Sequence, residues 1–237
     1  MQSGGRILSI ETAVNVCSVC LSDENGIISI IEEKGVNNHS SQLAVFIDRL
    51  MKETSTSYTS LGAVAVSGGP GSYTGLRIGV STAKGICYAA DVPLIAVDSL
   101  QAMACMMKKV YMGEEKNLVS YRPMIDARRM EVYTALYDAQ MVDVEGVNAA
   151  VIDETFFQRL MNKHTVVIAG NGAEKFRLMM SSNPSFVFIE DNVHSAEGVA
   201  EIAHAKFIQK EFVDVAYFEP FYLKDFIPGK PKVKGLQ

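Results

Sequence analysis

The segment Gly68-Gly69-Pro70-Gly71-Ser72-Tyr73-Thr74-Gly75-Leu76-Arg77-Ile78-Gly79 constrains the fold more than any other stretch of the chain. It follows an apolar run, Ala63-Val64-Ala65-Val66, that reads as a buried strand, and it opens a helical run that continues to about Ala90. A glycine-rich turn between strand and helix can present backbone N–H groups to an anion. Here the Gly-Lys-Ser/Thr ending of a Walker A loop is missing, and the spacing is not that of the dinucleotide fingerprint. Gly75, Gly79 and Ala83 instead fall four residues apart on one helix face, a stripe with almost no side-chain bulk. Each helical glycine costs roughly 0.5–1 kcal/mol relative to alanine, so the stripe is expected where another backbone comes very close. Ser72 and Thr74 could cradle phosphate, but Thr74 is a natural N-cap. Arg77 suits either an anion ligand or an interface anchor.

A chain of 237 residues suggests one large domain or two modest ones. With 48% hydrophobic and 21% charged residues it can bury a substantial core. A net charge of −5 speaks against strong nucleic-acid binding by this chain alone, since phosphate contacts need clustered Lys and Arg. It leaves room for a minor role beside a basic partner. Glu11 interrupts Ile7-Leu8-Ser9-Ile10 too early for a signal peptide, and no run approaches a membrane span, so no membrane association is expected. Cys17 and Cys20 form a C-x-x-C, but on a strand residues three apart point to opposite faces. With Cys87 and Cys105 they read as packed, reduced thiols, and the expected compartment is the cytoplasm.

Strand-like runs at Arg6–Glu11, Val16–Leu21 and Ile27–Glu32 open the chain, with Asp23-Glu24-Asn25-Gly26 as a hairpin turn. An amphipathic helix from about His39 to Thr54 repeats Leu43, Phe46, Ile47 and Leu50 at helical spacing. A strand at Ala63–Ser67, the glycine-stripe helix, a strand at Leu94–Val97 and a helix from Ser99 complete the half. The second half reads similarly. It has strands at Pro123–Asp126, Val132–Tyr137 and Ala149–Ile152, and a helix from about Glu154 to Asn162. A strand at Thr165–Ala169, a helix at Ala173–Met180, a strand at Phe186–Ile189 and a helix at Ser195–Gln209 follow, with Ser195 as N-cap. A duplicated β-β-β-α-β-α-β-α order implies an α/β protein of two RNase H-like, mixed-sheet lobes with a cleft between them. That is the architecture of the actin, Hsp70 and sugar-kinase group. The expected division is an N-terminal lobe over 1–102, a C-terminal lobe over 103–223 whose last helix packs back on the first, and a flexible basic tail over 224–237. Charge is the tail's only warrant for touching nucleic-acid phosphate.

Several segments together resemble the TsaB (YeaZ) family. Ile7-Leu8-Ser9-Ile10-Glu11-Thr12-Ala13 is similar to the family's opening, with Glu11 in place of its usual Asp. The central glycine motif matches closely. Ile125-Asp126-Ala127-Arg128-Arg129-Met130-Glu131-Val132-Tyr133 resembles the family's Asp-Ala-Arg-x-x-Glu-Val-Tyr hairpin. Gly170-Asn171-Gly172-Ala173 and Glu219-Pro220-Phe221-Tyr222-Leu223 match two weaker positions. The resemblance implies the actin-like two-lobe fold. It also implies a non-catalytic subunit that pairs with TsaD, works with the ATPase TsaE and acts on tRNA through the complex. The complex transfers a threonylcarbamoyl group to N6 of an adenosine beside the anticodon, with ATP and a metal ion expected in the partner subunits. A third reading is a homodimer through the same helices, the resting state when TsaD is scarce. In the family the first two helices of each partner form the dimer interface. That assigns Gly75, Gly79 and Ala83, with Arg77, to close approach by a facing helix, and Leu43, Phe46, Ile47 and Leu50 to apolar contacts. The competing reading packs both faces of these helices inside this chain.

The catalytic paralogue carries a metal-binding His-x-x-x-His where this chain has Ser99 and Met103. Serine and a thioether cannot replace two imidazoles at i, i+4. His39, His164, His194 and His204 are scattered. Asp126, Arg128 and Glu131 could form an acid–base cluster at the cleft, or merely a hairpin with a cross-strand ion pair. No Ser-His-Asp or Cys-His arrangement follows from spacing. No residue of this chain is therefore assigned as catalytic or metal-binding, and whether the cleft takes nucleotide stays open. The alternative is an ATP-dependent phosphotransferase or hydrolase working in the interlobe cleft.

Overall fold

A computed structural model describes residues 5–35, 39–113, 119–153, 155–156, 165–180, 183–190 and 193–224. In the first half, β1 (Arg6–Glu11), β2 (Val16–Asp23) and β3 (Gly26–Lys34) form an antiparallel meander. α1 (His39–Glu53), β4 (Leu61–Ser67), α2 (Tyr73–Ala90), β5 (Leu94–Val97) and α3 (Ser99–Val110) follow. In the second, β6 (Val119–Asp126), β7 (Glu131–Thr134) and β8 (Asn148–Val151) precede β9 (Thr165–Ala169), α4 (Glu174–Met180), β10 (Phe186–Phe188) and α5 (Ala196–Gln209).

The two five-stranded sheets are related strand for strand, in the orders β3-β2-β1-β4-β5 and β10-β9-β6-β7-β8. In each, the meander is antiparallel and the two later strands add in parallel. β1 carries apolar residues on both faces, Ile7 on one and Leu8 and Ile10 on the other, because both faces are covered. Leu8 and Ile10 meet Leu43, Phe46, Ile47 and Leu50 of α1, with Val80 and Ala83 of α2. Ile7 faces Val199 and Ala203 of α5.

The central layer is exchanged between the lobes. α3 packs on β6 of the second sheet, whereas α5 packs on β1, β2, β4 and β5 of the first. The two helices touch where Gly198 lies against the Ala102 carbonyl, leaving no room for a Cβ. Ser195 caps α5, accepting from the Glu197 amide at 3.2 Å, as its place before the helix predicts. The Asp23–Gly26 turn forms with Gly26 at φ +121°, a conformation that favours glycine.

Several element ends shift by one or two residues from the expectation, and three differences have a local physical cause. β6 begins at Val119, not Pro123; proline reads as a strand start, yet Pro123 pairs opposite Ala169 within the strand. β7 stops at Thr134, and Tyr137 makes only isolated bridges to Tyr121 and Asp143. α2 is capped by Ser72, not Thr74, because the Ser72 hydroxyl accepts from the Gly75 amide at 3.3 Å. Thr155 and Phe156 are helical; the rest of the expected Glu154–Asn162 helix, and the basic tail beyond Lys224, lie outside the described residues.

The glycine stripe does mark a close approach, and its neighbour is this chain's own β1–β2 turn. A Cβ on Gly75 would overlap the Thr12 carbonyl oxygen, and one on Gly79 would overlap the Thr12 hydroxyl. Thr12 Oγ1 donates to the Gly75 carbonyl at 2.8 Å, closing the contact. Gly85 on the same helix has open space where its Cβ would be. The same substitution therefore has opposite signs at the two sites. Gly75→Ala is expected to lower the unfolding free energy by about 2 kcal/mol, because fixed backbone must shift. Gly85→Ala should raise it by about 1 kcal/mol through helix propensity alone. Urea unfolding of both variants checks this, and two shifts of the same sign would contradict it.

Candidate functional site

The cleft between the lobes is built from two turns at equivalent places in the two sheets and from the glycine loop. In the first lobe, Glu11 ends β1 with its carboxyl wholly buried. Its Oε1 accepts from the Ala13 amide at 2.5 Å. The glycine loop lies directly on this turn: Ser72 N donates to the Ala13 carbonyl at 2.6 Å, and Gly71 abuts the same oxygen. Gly68 N donates to Val97 O at 2.7 Å and Gly69 N to Ser99 Oγ at 3.2 Å, while Ser99 N returns a bond to Gly69 O at 2.9 Å. With Gly75 N on Ser72 Oγ, four amides of a loop that resembles an anion cradle are committed to the chain itself.

In the second lobe, the β6–β7 turn carries Asp126, Arg128 and Glu131. Arg128 and Arg129 are both left-handed, at φ +70° and +51°. Asp126 Oδ1 accepts from the Arg128 amide at 2.6 Å and pairs with Lys175 of α4, while its own N–H donates to Asn171 Oδ1 at 2.9 Å. Glu131 pairs with Lys224. The two carboxylates are thus held by lysines from elsewhere in the chain, and not by the cross-strand pair that the spacing suggests. A cavity of about 450 Å³ lies between the turns, walled by Ala13–Asn15, Gly71–Thr74, Ile125–Arg128 and Phe221–Lys224.

Seven of the eight residues expected at a partner interface are buried inside this chain. Leu43, Phe46, Ile47 and Leu50 belong to the core between α1 and the first sheet. Gly75, Gly79 and Ala83 face Thr12 and β4, for the reason given above. Arg77 alone points outward, donating to Tyr73 Oη at 2.8 Å with its guanidinium 5.0 Å from the Tyr73 ring centroid. The exposed side of α2 carries a second small-residue stripe that sequence reading missed: Ser81, Gly85 and Ala89, again four apart. Tyr88, 87% exposed, stands beside it, and Val45 of α1 is 56% exposed. The spacing was visible in the sequence, but only the fold tells which stripe faces out.

Ser99 and Met103 occupy structural positions. Ser99 ties α3 to the glycine loop, and Met103 is buried against Gly170. His204 lies 3.2 Å from Ser22 Oγ, and His194 is buried at the start of α5. The side chain of His39, and all of His164, fall outside the described residues. Among the described residues no three His, Cys, Asp or Glu side chains converge as metal ligands. Cys17 packs toward α1 and α2, Cys20 toward Ala196 and Ala200 of α5, as their three-residue spacing requires. Both are free thiols, and burial pushes them up to about 11 and about 12. No described helix is long and apolar enough to cross a membrane.

Two sheets in this strand order, with helices exchanged between them and a cleft at matching turns, define a two-lobed protein of the actin, Hsp70 and sugar-kinase class. Solved structures agree. YeaZ from Pseudomonas aeruginosa superposes with a TM-score of 0.77 at 23% identity, over 92% of this chain and all of that one. The (R)-2-hydroxyglutaryl-CoA dehydratase component A of Acidaminococcus fermentans gives 0.53 at 8% identity, over 88% of this chain and all of that one. The family model described as TsaD, tRNA N6-adenosine threonylcarbamoyltransferase, matches residues 25–230. The Escherichia coli tRNA threonylcarbamoyladenosine biosynthesis protein TsaB is 29% identical over 95% of this chain and 97% of its own length. The Anaplasma marginale tRNA N6-adenosine threonylcarbamoyltransferase is 30% identical over 47% of this chain and 37% of its own length. The chain belongs to this threonylcarbamoyltransferase family of tRNA threonylcarbamoyladenosine biosynthesis, in its TsaB (YeaZ) branch.

Burial raises the Glu11 carboxyl from its ordinary 4.5 to about 7, against smaller opposing effects of the Ala13 amide and Ser67. Below 4.5 the acid is neutral in the folded and unfolded chain alike and costs nothing. Between 4.5 and about 7 only the unfolded chain has lost the proton, so stability falls as pH rises, and above about 7 the whole cost of about 3 kcal/mol is present. His194, which burial pushes from 6.5 down to about 4, acts the other way: stability falls as pH drops through that window. Glu11→Gln removes only the first effect. Relative to the parent it should gain about 3 kcal/mol on going from about pH 4.5 to about pH 8. Denaturant unfolding at the two pH values checks this; a pH-independent difference would contradict it.

Proposed function

We propose that the chain is a non-catalytic partner subunit in tRNA threonylcarbamoyladenosine formation, docking on a TsaD-type subunit through the outward face of α1 and α2. The observation that carries this reading is the Ser81-Gly85-Ala89 stripe with Tyr88, Arg77 and Val45 around it. A helix face this low in bulk, with open space above Gly85, lets a second helix approach closely. The relatives named TsaB support the pathway, and the TsaD-type relatives support the kind of partner.

The residues that align with the paralogue's histidine pair, Ser99 and Met103, serve internal packing. ATP and the metal ion accordingly belong to the partner subunits in this reading. The chain's part is to hold TsaD in a productive state, to offer TsaE a docking surface and to reach tRNA through the complex in the cytoplasm. When TsaD is scarce, the same face pairs two copies of this chain. A phosphotransferase working in the cleft has less support, because the glycine loop donates its amides inward where phosphate binding needs them free.

Gly85→Leu fills the open space without touching the core. It should weaken TsaD binding by roughly tenfold or more, about 1.4 kcal/mol, with no fall in the unfolding midpoint. Sedimentation of labelled variant with TsaD measures this. An unchanged dissociation constant would contradict the docking face.

A further inference from the structure

After α5 the chain does not leave the surface but runs back across the first lobe. Val213 N donates to Leu94 O at 2.9 Å, fastening the segment to the free edge of β5. Lys84 of α2 reaches over it, donating to Ala216 O at 3.0 Å and Phe218 O at 3.1 Å. The Phe218 ring covers Gly68, where a Cβ would stand 3.2 Å from its Cζ. Phe221 N donates to Gly68 O at 2.7 Å, and Gly69 abuts the Phe221 carbonyl. The Tyr222 ring then lies 4.9 Å from Tyr73, and Lys224 pairs with Glu131 across the cleft.

These holds are unequal. On the first lobe they are backbone hydrogen bonds, ring packing and a twice-used lysine. On the second lobe, among the described residues, the hold is the Lys224–Glu131 ion pair, between side chains that are each about a third exposed. Phe221–Lys224 also form one wall of the 450 Å³ cleft. Tyr73, Tyr222 and Lys224 are shared with a second hollow of about 460 Å³ on the α2 side, lined by Arg77, Ser81 and Lys84.

We propose that residues 221–224 are a gate on the interlobe cleft, hinged at the Phe221–Gly68 hydrogen bond and latched to the second lobe by the Lys224–Glu131 pair. Opening breaks one partly exposed ion pair and shifts the Tyr222 ring against Tyr73, while the fastening from Val213 to Phe221 stays in place. Because the gate also walls the hollow on α2, its position registers on both sides. The gate stands on this chain alone and does not rest on the docking reading above.

The chain has no tryptophan, so Leu223→Trp supplies a single reporter on the moving end. In that background Lys224→Glu should raise the acrylamide quenching constant roughly twofold, as local opening without unfolding does. Adding Glu131→Lys to it should restore the parent value by reversing the pair. Added salt should loosen the parent latch and raise its quenching, whereas in Lys224→Glu it screens a repulsion and should not raise quenching further, since screening weakens exposed charge pairs of either sign. Hydrogen exchange at residues 221–224 without the tryptophan repeats the comparison, should the reporter itself disturb the gate. Quenching and exchange unchanged by Lys224→Glu, or a double variant that stays open, would overturn the proposal.

Discussion

The whole arrangement depends on one contact, in which the β1–β2 turn is pressed into the first two turns of α2. Thr12 sits where Gly75 and Gly79 have no side chains, and its hydroxyl donates to the Gly75 carbonyl. Ala13 receives the Ser72 amide, and Gly71 leaves room for it. Fixing α2 in this way fixes the glycine loop, and through Gly69 and Ser99 it fixes the start of α3. α3 then carries the register to the second sheet, where it packs on β6. Two interior glycines lower helix stability, and the backbone approach that they permit offsets the loss. The buried Glu11 carboxyl beneath the turn is a second cost tolerated at the same place.

That contact also decides what α2 has left to offer. Its inner face and most of its loop amides are engaged, so the surface available to another molecule is the outer one. There small residues, an exposed tyrosine and an arginine stacked on Tyr73 lie together. In the docking proposed above, this rigid helix face, fastened to the cleft, is the platform on which the partner sits. Anything that bears on α2 bears on the loop that roofs the cleft. The returning segment at Phe218–Lys224 joins the same two surfaces by a second route.

Much of this was legible in the sequence for definite reasons. Strands covered on both faces read as apolar runs, so β1, β5 and β9 have the expected ends. The turn at Asp23–Gly26 and the cap at Ser195 are local chemistry and needed no tertiary knowledge. The stripe at Gly75, Gly79 and Ala83 correctly announced a close backbone, but a missing side chain does not name its neighbour. Thr12 lies some sixty residues earlier, and only the parallel pairing of β1 with β4 brings it there. The apolar positions of α1 had the same ambiguity, since a core face and a docking face share one periodicity. Asp126 and Glu131 were found as a cluster, but their lysines come from α4 and from beyond α5, distances that no spacing rule spans.

The most direct test is reconstitution of tRNA modification from threonine, bicarbonate, ATP, the adenylate-forming synthase, TsaD and TsaE, with and without this chain. If the chain is a platform, turnover requires it together with TsaD and stops when either is withheld. Turnover with this chain in place of TsaD would mean that the chain carries a catalytic site of its own, and would contradict the reading at its centre.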